Sequence, residues 1–245
     1  MSDDVLLRQM RHLRLYTAGT TVLAVVALIG AIGAIQTARN GSFNTITAHK
    51  LILRDQEGKL AMVFTNHDEP MPGIIAGQKF HREGGGGNEI IFYNRLGNEQ
   101  GGLLWEGQRA RSGGYHSGNT LSYDSVVSDQ MLQVDDGNDN GKTYSYITGW
   151  NEPNFFKPRY QKMFHALAAA RTAAERARIA QQYPDYRKAV VRRYVVGYTR
   201  DNNAIVMLAD AQGHPRIKMF VTPSGEAELQ FLDARGMVVD QYPRL

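Results

Sequence analysis

The chain has no cysteine in its 245 residues. Disulfides, thiolate nucleophiles and cysteine-held zinc or iron–sulfur sites are excluded, so the fold must be stabilised by its core. Complete catalytic motifs are missing as well. Gly114-Tyr115-His116-Ser117-Gly118 places serine one position too late for a hydrolase nucleophile elbow, and a strand follows where that motif needs a helix. The glycine run Gly84–Gly87 precedes neither a Lys-Ser/Thr pair nor a helix; it is no phosphate loop and reads as a flexible connection. Asp136-Gly137-Asn138-Asp139-Asn140-Gly141 has the alternating oxygen ligands of a calcium loop. Ile147, however, occupies the position where an EF-hand carries glutamate, and a polar hairpin tip accounts for the segment.

One stretch lacks charge altogether. Thr17–Ile35 is 19 residues without an ionisable group, which as a helix spans nearly the ~30 Å hydrocarbon core of a bilayer. Arg8, Arg11 and Arg14 precede it and only Arg39 closely follows. The positive-inside rule therefore predicts a cytoplasmic N-terminus (residues 1–15), a transmembrane helix over 16–36 and an exported domain over 41–245. A cleavable signal peptide is the competing reading, since Ala31-Ile32-Gly33 offers small residues at the right spacing. The apolar run exceeds the usual signal-peptide length, which favours a retained anchor in lipid. Ala27/Ala31 and Gly30/Ala34 repeat small residues at four-residue spacing, a pattern that lets helices approach but is also common in any such segment.

The basic balance, 28 Lys and Arg against 24 Asp and Glu, is not spread evenly. Residues 157–193 hold ten basic and two acidic side chains, and residues 1–40 hold four and two, leaving 14 basic and 20 acidic elsewhere. The exported body is thus mildly acidic with one basic segment attached. Nucleic acid is a poor partner for such a domain; an anionic lipid surface or an acidic envelope protein suits the basic segment better, although charge runs are usually solvated faces.

Beyond the apolar run the chain alternates in short β-type segments joined by a recurring turn. Leu53-Arg54-Asp55-Gln56-Glu57-Gly58-Lys59-Leu60 is echoed at Asp210–Gly213 and Asp233–Gly236, and with substitutions at Asn94–Gly97 and Thr222–Gly225. Aspartate at the first turn position accepts backbone N–H bonds from two residues on, and glycine at the fourth takes the left-handed conformation of a bulged hairpin. About a dozen strands at hairpin spacing predict a mainly β fold, an antiparallel meander closed as a barrel or folded as a sandwich. The rhythm breaks at about 156–190. Pro158 suits a first helical turn, Tyr160, Met163, Phe164 and Leu167 share one face, and Thr172-Ala173-Ala174-Glu175 has the form of a capping box. Two short helices ending before Pro184 are expected, packed on the sheet.

Phe43–Asn66, Met71-Pro72-Gly73, Gly101–Trp105 and the closing Leu208–Val239 together resemble a family of uncharacterised bacterial single-pass membrane proteins with an exported β-rich domain. The likeness covers most of residues 43–243. It implies a membrane segment followed by a β-rich domain, and no activity, cofactor or catalytic residue.

Two groups of side chains are candidates for binding. Trp105, Tyr144, Tyr146 and Trp150 supply aromatic surface of the kind that stacks on sugars or anchors interfaces, and Tyr144 and Tyr146, two apart, share a strand face. Core packing explains such residues equally. His67, Asp68, Glu69, His81 and Glu83 form the densest polar cluster, but their spacing matches no metal motif and Pro70, Pro72 and the glycine run mark a solvated loop. No catalytic, cofactor-binding or metal residue is assigned. The expected protein is an interaction module or accessory subunit of the bacterial inner membrane, exposed to the periplasm and acting without catalysis on other envelope components. The alternative is an envelope enzyme, such as a glycan-acting hydrolase whose carboxylates meet across the sheet.

Overall fold

The computed structural model describes residues 3–39, 43–80, 87–110 and 113–243. Its contacts divide the chain into two units, Met1–Ala48 and His49–Leu245. The first is one helix, α1 (Asp3–Arg39), that contains a stretch from His12 to Gly30 long and apolar enough to cross a membrane. Hydroxyl groups inside that stretch do not seek outside partners. Thr17, Thr20 and Thr21 donate to the carbonyls of Leu13, Tyr16 and Thr17, so each polar atom is satisfied within the helix, as an apolar solvent requires. The helix begins well before residue 16, because no proline or glycine interrupts the arginine-bearing turns.

The second unit is a mainly β domain. Twelve strands make one antiparallel sheet: β1 (Leu51–Arg54), β2 (Leu60–Thr65), β5 (Asn88–Tyr93), β6 (Glu99–Arg109), β7 (Tyr115–Asp124), β8 (Gln130–Asp139), β9 (Lys142–Asn151), β10 (Val191–Tyr198), β11 (Ala204–Ala209), β12 (Pro215–Val221), β13 (Ala227–Leu232) and β14 (Val238–Tyr242). A separate hairpin, β3 (Gly73–Ile75) with β4 (Gln78–Phe80), lies between β2 and β5 in sequence. The sheet order follows the chain, so the meander is as expected, but the barrel is not closed; β1 and β14 are its edges.

The recurring motif is structural, as its residue types predict. Asp55 Oδ1 accepts from the amides of Glu57 and Lys59, Asp210 from Gln212 and His214, and Asp233 from Arg235 and Met237. The three aspartates sit at separate turns, β1–β2, β11–β12 and β13–β14. Gly58, Gly213 and Gly236 adopt φ of +80°, +84° and +80°, the left-handed region that glycine enters freely. The calcium-like segment is likewise a hairpin tip: Asp136–Asp139 end β8, and Asn140-Gly141, at φ +53° and +91°, form the two-residue turn into β9.

Register fixes which side chains share a face. Val63, Ile91, Gly102, Ser122, Gln133, Thr148, Val195 and Met207 pair successively across β2 to β11. This is the core face: Val63, Ile91 and Tyr93 bury against Ile74 of the β3–β4 hairpin. The hairpin's other residues meet the helical insertion, where Ala76, Phe155, Tyr160, Met163 and Phe164 form a second buried cluster and Phe80 sets its ring edge-on to Phe164 at 6.0 Å. The insertion holds three helices, α2 (Pro158–Ala169), α3 (Ala173–Gln181) and α4 (Pro184–Ala189). The capping box forms, with Glu175 N–H donating to Thr172 Oγ1 and the Glu175 carboxylate accepting from Thr172 N–H. The third is one more than the two expected to end before Pro184: Pro184 itself opens α4, since proline needs no hydrogen bond at a first helical position.

The opposite face, bare among the described residues of this unit, carries an apolar row through every strand of the large sheet: Leu51, Phe64, Ile90, Leu103, Leu121, Val134, Ile147, Val196, Val206, Met219, Leu229 and Tyr242, each aligned with the next. A second row two residues along, from Leu53 and Met62 to Leu208, Ile217 and Phe231, is also largely apolar. None of these side chains belongs to either buried cluster.

Candidate functional site

On the core face, beyond the area that the β3–β4 hairpin covers, the sheet forms an aromatic hollow of about 610 Å³. Strand alternation puts Tyr144, Tyr146, Thr148 and Trp150 of β9 along it. Gln133 and Asp135 line it from β8, and Arg192 and Val195 from β10. The rings of Tyr144 and Tyr146 stack at 5.5 Å and 28°. Opposite Tyr144, Gly137 leaves the space its ring occupies, since a Cβ there would stand 2.6 Å from the ring. Arg200 lies over Tyr144 at 4.7 Å and Arg192 over Trp150 at 4.9 Å, so cations cap both ends of the aromatic row.

The polar groups are arranged as specifically. Asp135 Oδ1 accepts from Thr120 Oγ1 at 2.8 Å and Gln133 Nε2 at 3.0 Å, which fixes its carboxylate at the wall. Trp150 Nε1 is buried and has no acceptor among the described residues, although a buried indole N–H normally finds one. The hollow continues past Thr199, Ile205 and Met207 into a second of about 380 Å³ that reaches Lys218, Phe220 and Gln230. The hollow thus combines apolar ring faces with a few fixed polar groups, the mixture found in small-molecule pockets.

Of the four aromatic candidates, Tyr144, Tyr146 and Trp150 come together and Trp105 does not. Trp105 aligns through Asn119 and Asp136 with Ser145, the residue between the two tyrosines, and therefore faces the other way. Arg192, Gln133 and Asp135 escaped the sequence reading. Arg192 aligns with Trp150 only because β9 and β10 pair across the helical insertion, about forty residues apart in the chain.

A carboxylate group lies nearby. Burial, then the charges of Asp129 and Asp124, push Glu152 up to about 7. Burial and the same Glu152 and Asp129 raise Tyr186 of α4 well above the usual phenol range. Asp124 and Asp129 line a hollow of about 240 Å³ with Thr120, Ser122 and Gln133. The polar cluster near residue 67 is differently disposed. His67 pairs with Asp68 at 3.1 Å and Glu69 with the half-buried Lys50 at 3.4 Å, the three residues 67–69 lying on an exposed turn. His81 and Glu83 lie outside the described residues. Among those described, no three His, Asp or Glu side chains converge as metal ligands would. No protein-family model matches the chain, and no curated protein does.

Proposed function

We propose that this chain is a membrane-anchored extracytoplasmic interaction module that acts without catalysis and holds a polyhydroxylated ring, such as a unit of an envelope saccharide, in the aromatic hollow. The observation that carries this reading is the row Tyr144, Tyr146 and Trp150 beside Asp135, Gln133 and Arg192. Ring faces take the C–H face of a sugar, the unpaired Trp150 N–H donates to a hydroxyl, and Asp135 and Arg192 orient the rest. In this reading α1 anchors the chain in the bacterial inner membrane with the arginines inside. The β domain stands in the periplasm, as in the family that the sequence resembles.

Fluorescence of the full chain in detergent tests the hollow. With Trp105→Phe, Trp150 is the sole tryptophan, and saccharide binding is expected to shift and quench its emission. Tyr146→Ala is expected to weaken binding about tenfold, ~1.4 kcal/mol. Folded protein whose Trp150 emission ignores envelope polysaccharides and their fragments would sink the reading. Protease accessibility on intact spheroplasts tests the orientation separately, since only an exported β domain is cleaved.

A second reading draws on the carboxylates. Glu152, protonated up to about pH 7 beside Asp129 and Asp124, has the character of a general acid next to ionised partners, which favours a glycan-acting hydrolase. Turnover of saccharide by wild type, abolished by Glu152→Gln, would replace the binding reading with this one.

A further inference from the structure

The hollow occupies one side of the sheet and leaves the bare face without a role. Val134, Ile147, Val196, Leu208, Met219 and Phe231, on six consecutive strands β8 to β13, are 36–49 % exposed there. Single exposed apolar residues need no explanation, but a continuous register of them does. With side chains of this size about two-fifths exposed along the middle strands, the two rows present apolar surface on the order of 1,000 Å², above the about 300–600 Å² of the largest patch on a typical monomer. It matches the about 800 Å² that each partner contributes to a stable standard-sized interface.

The chemistry of the face selects its occupant. Neither apolar row contains lysine or arginine, and Asp240 at the β14 edge is their single charge. The neighbouring polar row, through Trp105, Asn119, Asp136 and Ser145, has no cation either, and strand alternation places a lone Arg109 further out, at the end of β6. A face that met anionic lipid would carry basic residues at its margin. This one is complementary to a flat apolar surface of its own kind. We infer that the bare face is the interface between two copies of this chain, stacked sheet on sheet about a two-fold axis. Two such faces interdigitate about 10 Å apart, as in a β-sandwich. Each copy would supply the layer that the other lacks, and both aromatic hollows would face outward, so the pair would be divalent. The inference does not depend on what the hollow binds.

The test uses the full chain in mild detergent, with protein mass from light scattering corrected for detergent. Wild type is expected as a dimer of the 27.4 kDa chain. Val196→Lys, which puts a charge into the middle of the row, is expected to halve the mass, whereas Gly30→Leu in α1 leaves it unchanged. The absence of native cysteine allows a second measurement that does not rely on a disruptive variant. Val134→Cys, Ile147→Cys, Val196→Cys and Met219→Cys are made singly and oxidised; at least one near the axis is expected to give a covalent dimer, and Lys218→Cys on the core face is expected to give none. Should Val196→Lys fail to fold, the cross-links decide. A monomeric wild type at tens of micromolar overturns the inference. So does a dimer that Gly30→Leu dissolves and none of the four cysteines cross-links, or a bare face whose cysteines are shielded by lipid in a monomer.

Discussion

Replacing Glu152 with glutamine isolates the electrostatic cost of the carboxylate group at the end of β9. Burial first, then Asp129 and Asp124, raise its pKa from 4.5 to about 7. At about 1.4 kcal/mol per unit the full difference would be about 3 kcal/mol; because the side chain is partly exposed, solvent screening brings it to about 1–2 kcal/mol. The sign follows from proton uptake. Below pH 4.5 the carboxyl is neutral in folded and unfolded chains alike. As pH climbs toward 7 the unfolded chain releases its proton while the folded chain keeps it, so wild type loses stability through that window and stays lower above it. Glutamine never ionises. At pH 8 Glu152→Gln is therefore expected to melt about 2–8 °C above wild type, and near pH 4 the two should coincide. Thermal unfolding of the full chain in detergent, followed by near-ultraviolet circular dichroism, gives both curves. Equal melting at pH 8, or parallel profiles between pH 4.5 and 7, would refute the reasoning.

Turn glycines differ in what surrounds them. Gly225→Ala, at φ +90° with open space, should cost about 1 kcal/mol of backbone strain. Gly213→Ala also sets its Cβ 2.9 Å from Val191 and should cost about 1 kcal/mol more; urea midpoints that rank them the other way contradict this. Thr172→Ala removes the bond to Glu175 N–H and should loosen α3 by about 1 kcal/mol. Faster hydrogen exchange confined to the Glu175 amide and its neighbours is the expected sign. Asp210 is partly buried, which pulls its pKa upward, but the amides of His214 and Gln212 and the side chains of Arg216 and His214 hold it down to about 2. The β11–β12 hairpin is thus secured above pH 3.8 and released as pH falls through about 2, visible as lost protection of the Gln212 and His214 amides.

Much of this architecture is written locally. The twelve strands of the large sheet are legible as short β-type runs between turns, because nearly all of their partners are neighbours in sequence and Asp-x-x-Gly states its own geometry. The β3–β4 hairpin is not: Gly73–Ile75 and Gln78–Phe80 are three residues each, too short for alternation to register, although Ile74 anchors one core cluster and Phe80 packs against the other. The aromatic site is half legible. Tyr144 and Tyr146 share a face by simple parity, and Trp150 joins them on the same strand. Arg192 requires knowing that β10 returns beside β9 after three helices. The carboxylate group is hidden for the same reason, since Asp124 and Asp129 flank the β7–β8 turn while Glu152 follows β9, and only folding brings Glu152 to them.

The strand order has a consequence for how such a chain takes shape. Because each strand of the large sheet lies beside the ones before and after it in order, hardly any contact must wait for a distant part of the polypeptide. The longest pause is the helical insertion between β9 and β10. A sheet of this kind can zip up one ribbon at a time, with little loop-closure entropy at each step.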